Sequence, residues 1–328
     1  MRRPARRFAL RAGWAGALAW GLVPATRAQP RFPERPITLL VPFAPGGIAD
    51  LTARAVAEQL ARTLAVAVVV ENRPSAGSIV ASQTVAAARP DGHTLLLMSN
   101  ANAVSVGLFR RLPYDPLRDF APVSTLGFFD LGIFAPAPSR FATLADALGW
   151  ARANPGRLNV GTIAPGSTQH LAAKLFETEA RIDALVVPYK ASPAVLTALR
   201  AGEIDLAFEV TGPMLAQVAS GAVKALAVTS AQRNPALPEV PTVQQAGVAG
   251  YDVASWNALA APAGTPAEVV AALNRAVREA LAAPAVRDKL GRAGMRLAAS
   301  TPAEMQALLA GEIRRWGEVI RAAKIEPE

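Results

Sequence analysis

Cysteine is absent from the 328 residues, and histidine occurs only at His93 and His170. Without cysteine there are no disulfides, thiol nucleophiles, thiolate metal ligands or thiol redox couples. Two histidines cannot supply a multi-histidine metal site, and no metal is expected. Long apolar runs are missing too. The longest near the N-terminus, residues 12–25, falls short of the about 20 residues a spanning helix needs, and later segments are broken by charges or prolines. Charge is low at 18% while hydrophobic residues reach 52%, a balance that argues against global disorder. The sequence also lacks a G-x-S-x-G elbow, an H-E-x-x-H pair, a Walker loop and a G-x-G-x-x-G turn. Those absences weigh against the common hydrolase, metalloprotease and nucleotide-binding classes, and no cofactor is expected.

The chain begins MRRPARRFALRAGWAGALAWGLVPATRAQP, with an arginine-rich start, an apolar stretch and small residues at Thr26 and Ala28. This is the form of a signal peptide over residues 1–28, so the mature chain is expected to start near Gln29 in the periplasm. The Arg6-Arg7 pair before Phe8 suits twin-arginine export and ordinary secretion equally. Residues 1–28 hold six arginines and no acid, so their removal takes the net charge from +9 to +3. A chain so nearly balanced, with scattered lysines and arginines, offers no basic stripe, and no nucleic-acid partner is expected.

Beyond residue 28, strand-length apolar runs alternate with helical patterns, the sequence form of stacked βαβ units. PITLLVPF (36–43) runs through APGG into IADLTARAVAEQLARTL, where Leu51, Ala55, Leu60 and Leu64 keep a helical spacing. VAVVVE (66–71) leads through NRPSAG into SIVASQTVAAA, and HTLLLM (93–98) into SNANAVSVGLF. LNVGT (158–162) passes through IAPGS into TQHLAAKLFETEA, and ALVVPY (184–189) through KAS into PAVLTALRAG. The fold class is therefore α/β, with doubly wound parallel sheets. At 328 residues, two lobes are a better expectation than one core.

In such sheets ligands sit beyond the carboxyl ends of the strands, where helix N-termini present free N–H groups. Gly46 and Gly47 lack the Cβ atoms that would hold a ligand off the main chain, and the helix after them brings its positive dipole end. A carboxylate suits that turn; a tight turn with no ligand is the competing reading. The second glycine turn, GTIAPGSTQHL (161–171), repeats the arrangement, and two anion-ready helix starts imply a cleft. There Ser167 and Thr168 serve either as helix caps or as hydroxyl donors to a ligand, and His170 either faces the cleft or packs. Asp50 has an equally plain reading as a first-turn acid. Pairing Asp50 with Glu209 as general acid and base would make the protein an enzyme; nothing in the sequence fixes their separation.

From Arg35 to Ile325 the chain resembles a Bug-type extracytoplasmic solute-binding protein, the receptor family associated with tripartite tricarboxylate transporters. The stretches that carry the resemblance include PITLLVPFAPGGIAD, VVVENRPSAGSIVAS, PDGHTLLL, LPYDPLRDFAPVSTLG and ANPGRLNVGTIAPGSTQHLAAKLF. VPYKASPAVLTALRAGEIDLAFE, VKALAVTSAQRNPALPEVPTVQQAG and SWNALAAPAGTP follow in order.

The resemblance implies a periplasmic binding protein type II-like architecture, two α/β lobes closing on a small carboxylate, and a non-catalytic role. Crossings near Gly127 to Phe134 and Tyr251 to Trp256 would make lobe one residues 29–128 plus 256–328 and lobe two residues 129–255. A clean split near residue 150 would leave the helices of 266–281 and 302–323 without a sheet. By matching position, the ligand-binding residues implied are Ala44, Gly46, Gly47, Ile48, Ala49, Asp50, Ser75, Ala76 and Gly77. Those implied on lobe two are Thr162, Gly166, Ser167, Thr168, His170, Tyr189, Lys190, Ala191 and Glu209. The implied partners are a small carboxylate and membrane permease subunits, with the receptor a monomer; a signalling protein in place of the permease is the alternative. Ile48 and Ala49 stand where the family often has a small or hydroxyl residue followed by Thr, Ala191 where Gly is customary and Glu209 where Asp is frequent. These departures predict a pocket more apolar near the first turn and reshaped at the opposite end, suited to a carboxylate with an apolar or aromatic body.

Overall fold

The computed structural model describes residues 32–322 and 325–327; the expected signal peptide and the Gln29 start lie outside them. Within Phe32–Glu328 the chain makes one compact unit.

The first half of the molecule alternates strand and helix as the periodicity predicts. β1 (Ile37–Val41) leads to α1 (Ile48–Leu64), β2 (Val68–Asn72) to the short 3-10 turn Ala76–Ser78 and α2 (Ile79–Ala86), and β3 (Thr94–Ser99) to α3 (Asn100–Leu108). β1 lies between β2 and β3, parallel to both. β4 (Phe120–Pro136) and α4 (Leu144–Ala153) come next, followed by β5 (Leu158–Ile163), α5 (Thr168–Ala180), β6 (Ala184–Tyr189), α6 (Ser192–Ala201), β7 (Leu206–Val210), α7 (Thr211–Ala219) and β8 (Val223–Val228). β5 runs parallel to β6 and β7. β9 (Ala254–Pro262), α8 (Ala267–Ala282), α9 (Pro284–Arg292), β10 (Met295–Leu297) and α10 (Pro302–Ala322) complete the chain.

The strands follow the order β2-β1-β3-β9-β4-β7-β5-β6, with β8 and β10 also pairing to β4. β4 is the element that sequence periodicity leaves unannounced. Its Phe120 to Asp130 pair antiparallel with β9, whereas Leu131 to Phe134 pair with β7 and Gly132 to Pro136 with β8. One 17-residue strand thus changes partners between Asp130 and Leu131. Most of its residues are buried on one face or the other, so its sequence is largely apolar, interrupted by Ser124, Thr125 and Asp130, rather than alternating.

The C-terminal helices return to the β1 side of the sheet. Leu273, Val277 and Leu281 of α8 share a buried cluster with Leu39 and Val41 of β1 and with Val56 and Leu60 of α1. α1 buries Ala49, Asp50, Thr52, Ala53, Ala55, Val56, Ala57 and Leu60, so the expected Ala55 and Leu60 lie in the interior while Leu51 and Leu64 are only half-buried. The small residues belong there because α1 is covered both by the sheet and by α8. Fully burying Leu60 contributes about 1.5–3 kcal/mol. Met305, Leu309, Trp316 and Ile320 of α10 join Val104 and Leu108 of α3 in a second cluster, which also holds Leu131 and Ile133 of β4 and Leu171 of α5.

Candidate functional site

The glycine turn after β1 opens α1 without a side-chain cap. Gly47 occupies the N-cap position in an extended conformation, and no side chain satisfies the first N–H groups of the helix. Gly46 has φ +90°, the left-handed region that a side chain disfavours. A Cβ placed on either glycine would meet no atom within 4 Å, so open space lies beside this main chain.

Asp50 fixes the turn from behind. Its Oδ2 accepts the Gly46 N–H at 3.1 Å and Arg54 Nε at 3.1 Å, and its Oδ1 accepts Asn72 Nδ2 at 2.9 Å. Asn72 also donates to the Phe43 carbonyl, so the network spans both ends of the turn. Burial pushes the Asp50 carboxyl up, but the hydrogen bonds from Arg54, Asn72 and Gly46, with the Arg54 charge, hold it below its ordinary value.

That turn is one wall of a cavity of about 580 Å³. Of the residues implied by the sequence, Ala44, Gly46, Gly47, Ile48 and Ala49 line it from the β1–α1 turn, and Ser75, Ala76 and Gly77 from the segment after β2. Gly166, Ser167 and Thr168 line it from the β5–α5 turn, Lys190 and Ala191 from the segment after β6, and Glu209 from the end of β7. The β5–α5 turn approaches the segment after β2: a Cβ on Gly166 would sit 3.7 Å from the Gly77 nitrogen and 3.4 Å from Leu108.

Four implied residues stand outside the lining. Asp50 is engaged behind its turn, and the same placement separates it from Glu209 as an acid–base pair within the cavity. Thr162 is fully buried, with its hydroxyl donating to the Ile163 carbonyl. His170 is half-buried, its Nδ1 has no partner among the described residues, and burial together with the nearby Lys174 charge lowers its pKa to about 4. Tyr189 packs its ring against the cluster of Phe134, Val195 and Leu199. In each case the strand or helix phase turns the side chain away from the opening that its neighbours face.

Ser167 caps α5, accepting the His170 N–H at 3.2 Å, and still lines the cavity. The capping and ligand-facing readings of this residue are therefore compatible. Among the described residues Lys190 is the only cationic side chain of the lining, and it is exposed.

The structure adds wall residues that family matching did not reach. Ser99, Ser255 and Asn257 come from the adjacent ends of β3 and β9, paired at Ser99 and Asn257. Gln169, Ser192 and Val210 lie beside Glu209, and Phe43, Phe129, Leu196, Pro213 and Met214 add apolar surface. The junction HTLLLM–SNANA carried a signal for Ser99, since it is another strand-to-helix turn. Nothing local marks Ser255 or Asn257, which lie within a strand and reach the cavity through its pairing.

Glu209 is buried, at 2% exposure. Burial raises its pKa to about 7 against the opposing hydrogen bonds from Ser192 and Val210 and the nearby Gln169 amide. Among the described residues no group of three or more His, Asp or Glu side chains could hold a metal ion, and no helix is long and apolar enough to cross a membrane.

Comparison with known proteins agrees with this architecture. The family model described as tripartite tricarboxylate transporter family receptor matches residues 52–325. Protein BugT of Bordetella pertussis is 34% identical over 292 residues, covering 88% of this chain and 90% of that protein. The solved structure of Rpa4515 from R. palustris with adipate superposes with a TM-score of 0.85 at 34% identity, covering 90% of this chain and 100% of that one. MatC from Rhodopseudomonas palustris with bound malate gives a TM-score of 0.81 at 33% identity, covering 88% and 100%.

Proposed function

Because this chain belongs to the tripartite tricarboxylate transporter receptor family, we propose that it captures a small carboxylate in the 580 Å³ cavity and delivers it to a membrane permease. The observation that carries the carboxylate is the uncapped start of α1, whose free N–H groups and dipole face open space beside Gly46 and Gly47. Charge-assisted hydrogen bonds of about 1.5–3 kcal/mol each supply affinity without a buried arginine. Relatives with adipate and malate bound support the same ligand class.

In this reading residues 29–128 plus 256–328 form one lobe and 129–255 the other, and the cavity is the cleft between them. The change of partners along β4 at Asp130 and Leu131 supports that division. A ligand touching both walls stabilises the closed form through its differential affinity, and closure marks the receptor as loaded. The receptor works as a periplasmic monomer after loss of residues 1–28. The apolar wall of Ile48, Phe129, Val210 and Met214 favours a carboxylate with an apolar body.

The test is thermal unfolding of residues 29–328 against mono-, di-, tri- and aromatic carboxylates at constant ionic strength. Ligand at 100 times Kd adds about 2.7 kcal/mol and raises Tm by several degrees. A shift confined to one chemical subset supports the receptor reading. Silence across the panel after refolding to strip retained ligand defeats it, and an order led by citrate defeats the apolar-body preference.

A further inference from the structure

One oxygen of Glu209 is satisfied by the protein and the other is not. Oε2 accepts the Ser192 hydroxyl at 2.9 Å and the Val210 N–H at 3.1 Å. Oε1 has no hydrogen-bond partner among the described residues, although the side chain is 2% exposed and lines the cavity. Buried carboxylate oxygens are nearly always partnered, and each has more than one lone pair to fill. The nearby Gln169 amide favours the anion but makes no hydrogen bond to Oε1 in this geometry, so the anionic form holds its donors on Oε2 and lacks one on Oε1. The apolar lining side chains Leu196, Pro213 and Met214 have no N–H or O–H to give.

We propose that the missing donor belongs to the cargo: the ligand is a carboxylate whose other end carries a hydroxyl or ammonium group that donates to Glu209 Oε1. This deepens, and rests on, the carboxylate-receptor reading. Glu209 is then a specificity-determining residue. Above the Glu209 pKa of about 7, a plain monoacid leaves Oε1 unpaired and a dicarboxylate brings an acceptor against an acceptor, so both bind less well than the matched donor. Lys190 is the competing feature, since an exposed cation in the lining would instead welcome a second carboxylate.

The experiment is calorimetric titration of the mature protein at pH 8, where Glu209 is ionised, with two matched series. One is hexanoate, 6-hydroxyhexanoate, 6-aminohexanoate and adipate; the other is benzoate, 4-hydroxybenzoate, 4-(aminomethyl)benzoate and terephthalate. The expected result is that a hydroxy or amino member binds at least about tenfold tighter than its plain acid and its diacid. Glu209→Met removes that advantage and Glu209→Gln reduces it, with ligand-free thermal unfolding of each variant reporting an intact fold. If the Met variant does not fold, the isosteric Gln variant decides. A plain acid or diacid that binds as tightly as the donor member overturns the proposal and leaves the receptor reading standing, as does a donor advantage unchanged in Glu209→Gln. No binding by any member removes the receptor reading and this one with it.

Discussion

The hydroxyl oxygens of Thr168 and Ser255 lie 2.8 Å apart, both buried, in a hydrogen bond between residues 87 positions apart. It ties the first turn of α5 to the start of β9, and both residues line the cavity. Ser255→Ala strands the Thr168 hydroxyl and is expected to cost about 1–2 kcal/mol. The double variant Thr168→Val with Ser255→Ala should cost clearly less than the two single changes together, as read by denaturant unfolding. Additivity within about 0.5 kcal/mol would show the two groups to be uncoupled.

Asp50 touches the turn and not the cavity, so its loss separates support from contact. Asp50→Ala frees the Gly46 N–H and leaves Asn72 and Arg54 without their carboxylate. Stability is expected to fall by about 2 kcal/mol and carboxylate affinity to weaken as the turn loosens. The Asp50 pKa is held below its ordinary value of 3.8, so its contribution is full above that value and is lost as pH falls through the folded-state pKa. Unchanged affinity in the variant would show that the turn keeps its shape unaided.

Glu209 and His170 act on stability in opposite senses. The folded pKa of Glu209 is raised from 4.5 to about 7, so the folded state holds the extra proton and stability falls as pH rises across that window. His170 is lowered from 6.5 to about 4; there the unfolded state binds the extra proton, and stability rises with pH over that range. At about 1.4 kcal/mol per pKa unit, each effect is on the order of 3 kcal/mol. Glu209→Gln should therefore gain most over the parent at pH 8, and His170→Asn at pH 4 to 5, in melting temperatures taken across pH. Parallel curves for parent and variants would contradict both assignments.

Gly212, in the first turn of α7, abuts the chain between α9 and β10. A Cβ there would lie 1.6 Å from the Ala293 carbonyl oxygen and 2.7 Å from the Gly294 nitrogen, both main-chain atoms. Gly212→Ala is expected to destabilise by about 3 kcal/mol because no side chain can swing aside. Gly149, with open space around its Cβ position, is the control, and Gly149→Ala in the middle of α4 should stabilise slightly. Equal melting temperatures for the two variants would refute the contact.

The sequence by itself determined the alternation of strands and helices and the two glycine turns. These are local matters: a period of 2 or 3.6, a Gly-Gly pair after an apolar run, a serine before a helix. It also carried, through ordered blocks of residues, the family and fourteen of the thirty-three residues that line the cavity. Tertiary structure decided the rest. Asp50, Thr162, His170 and Tyr189 lie within or beside those same blocks, yet their side chains face the turn's support or the packed interior, because element phase and neighbours set a side chain's direction. Ser255 and Asn257 reach the cavity only because β9 pairs with β3 and β4 more than 100 residues away, a register no local pattern encodes. The lone oxygen of Glu209 likewise exists only in three dimensions, where Ser192 and Val210 take one oxygen and leave the other.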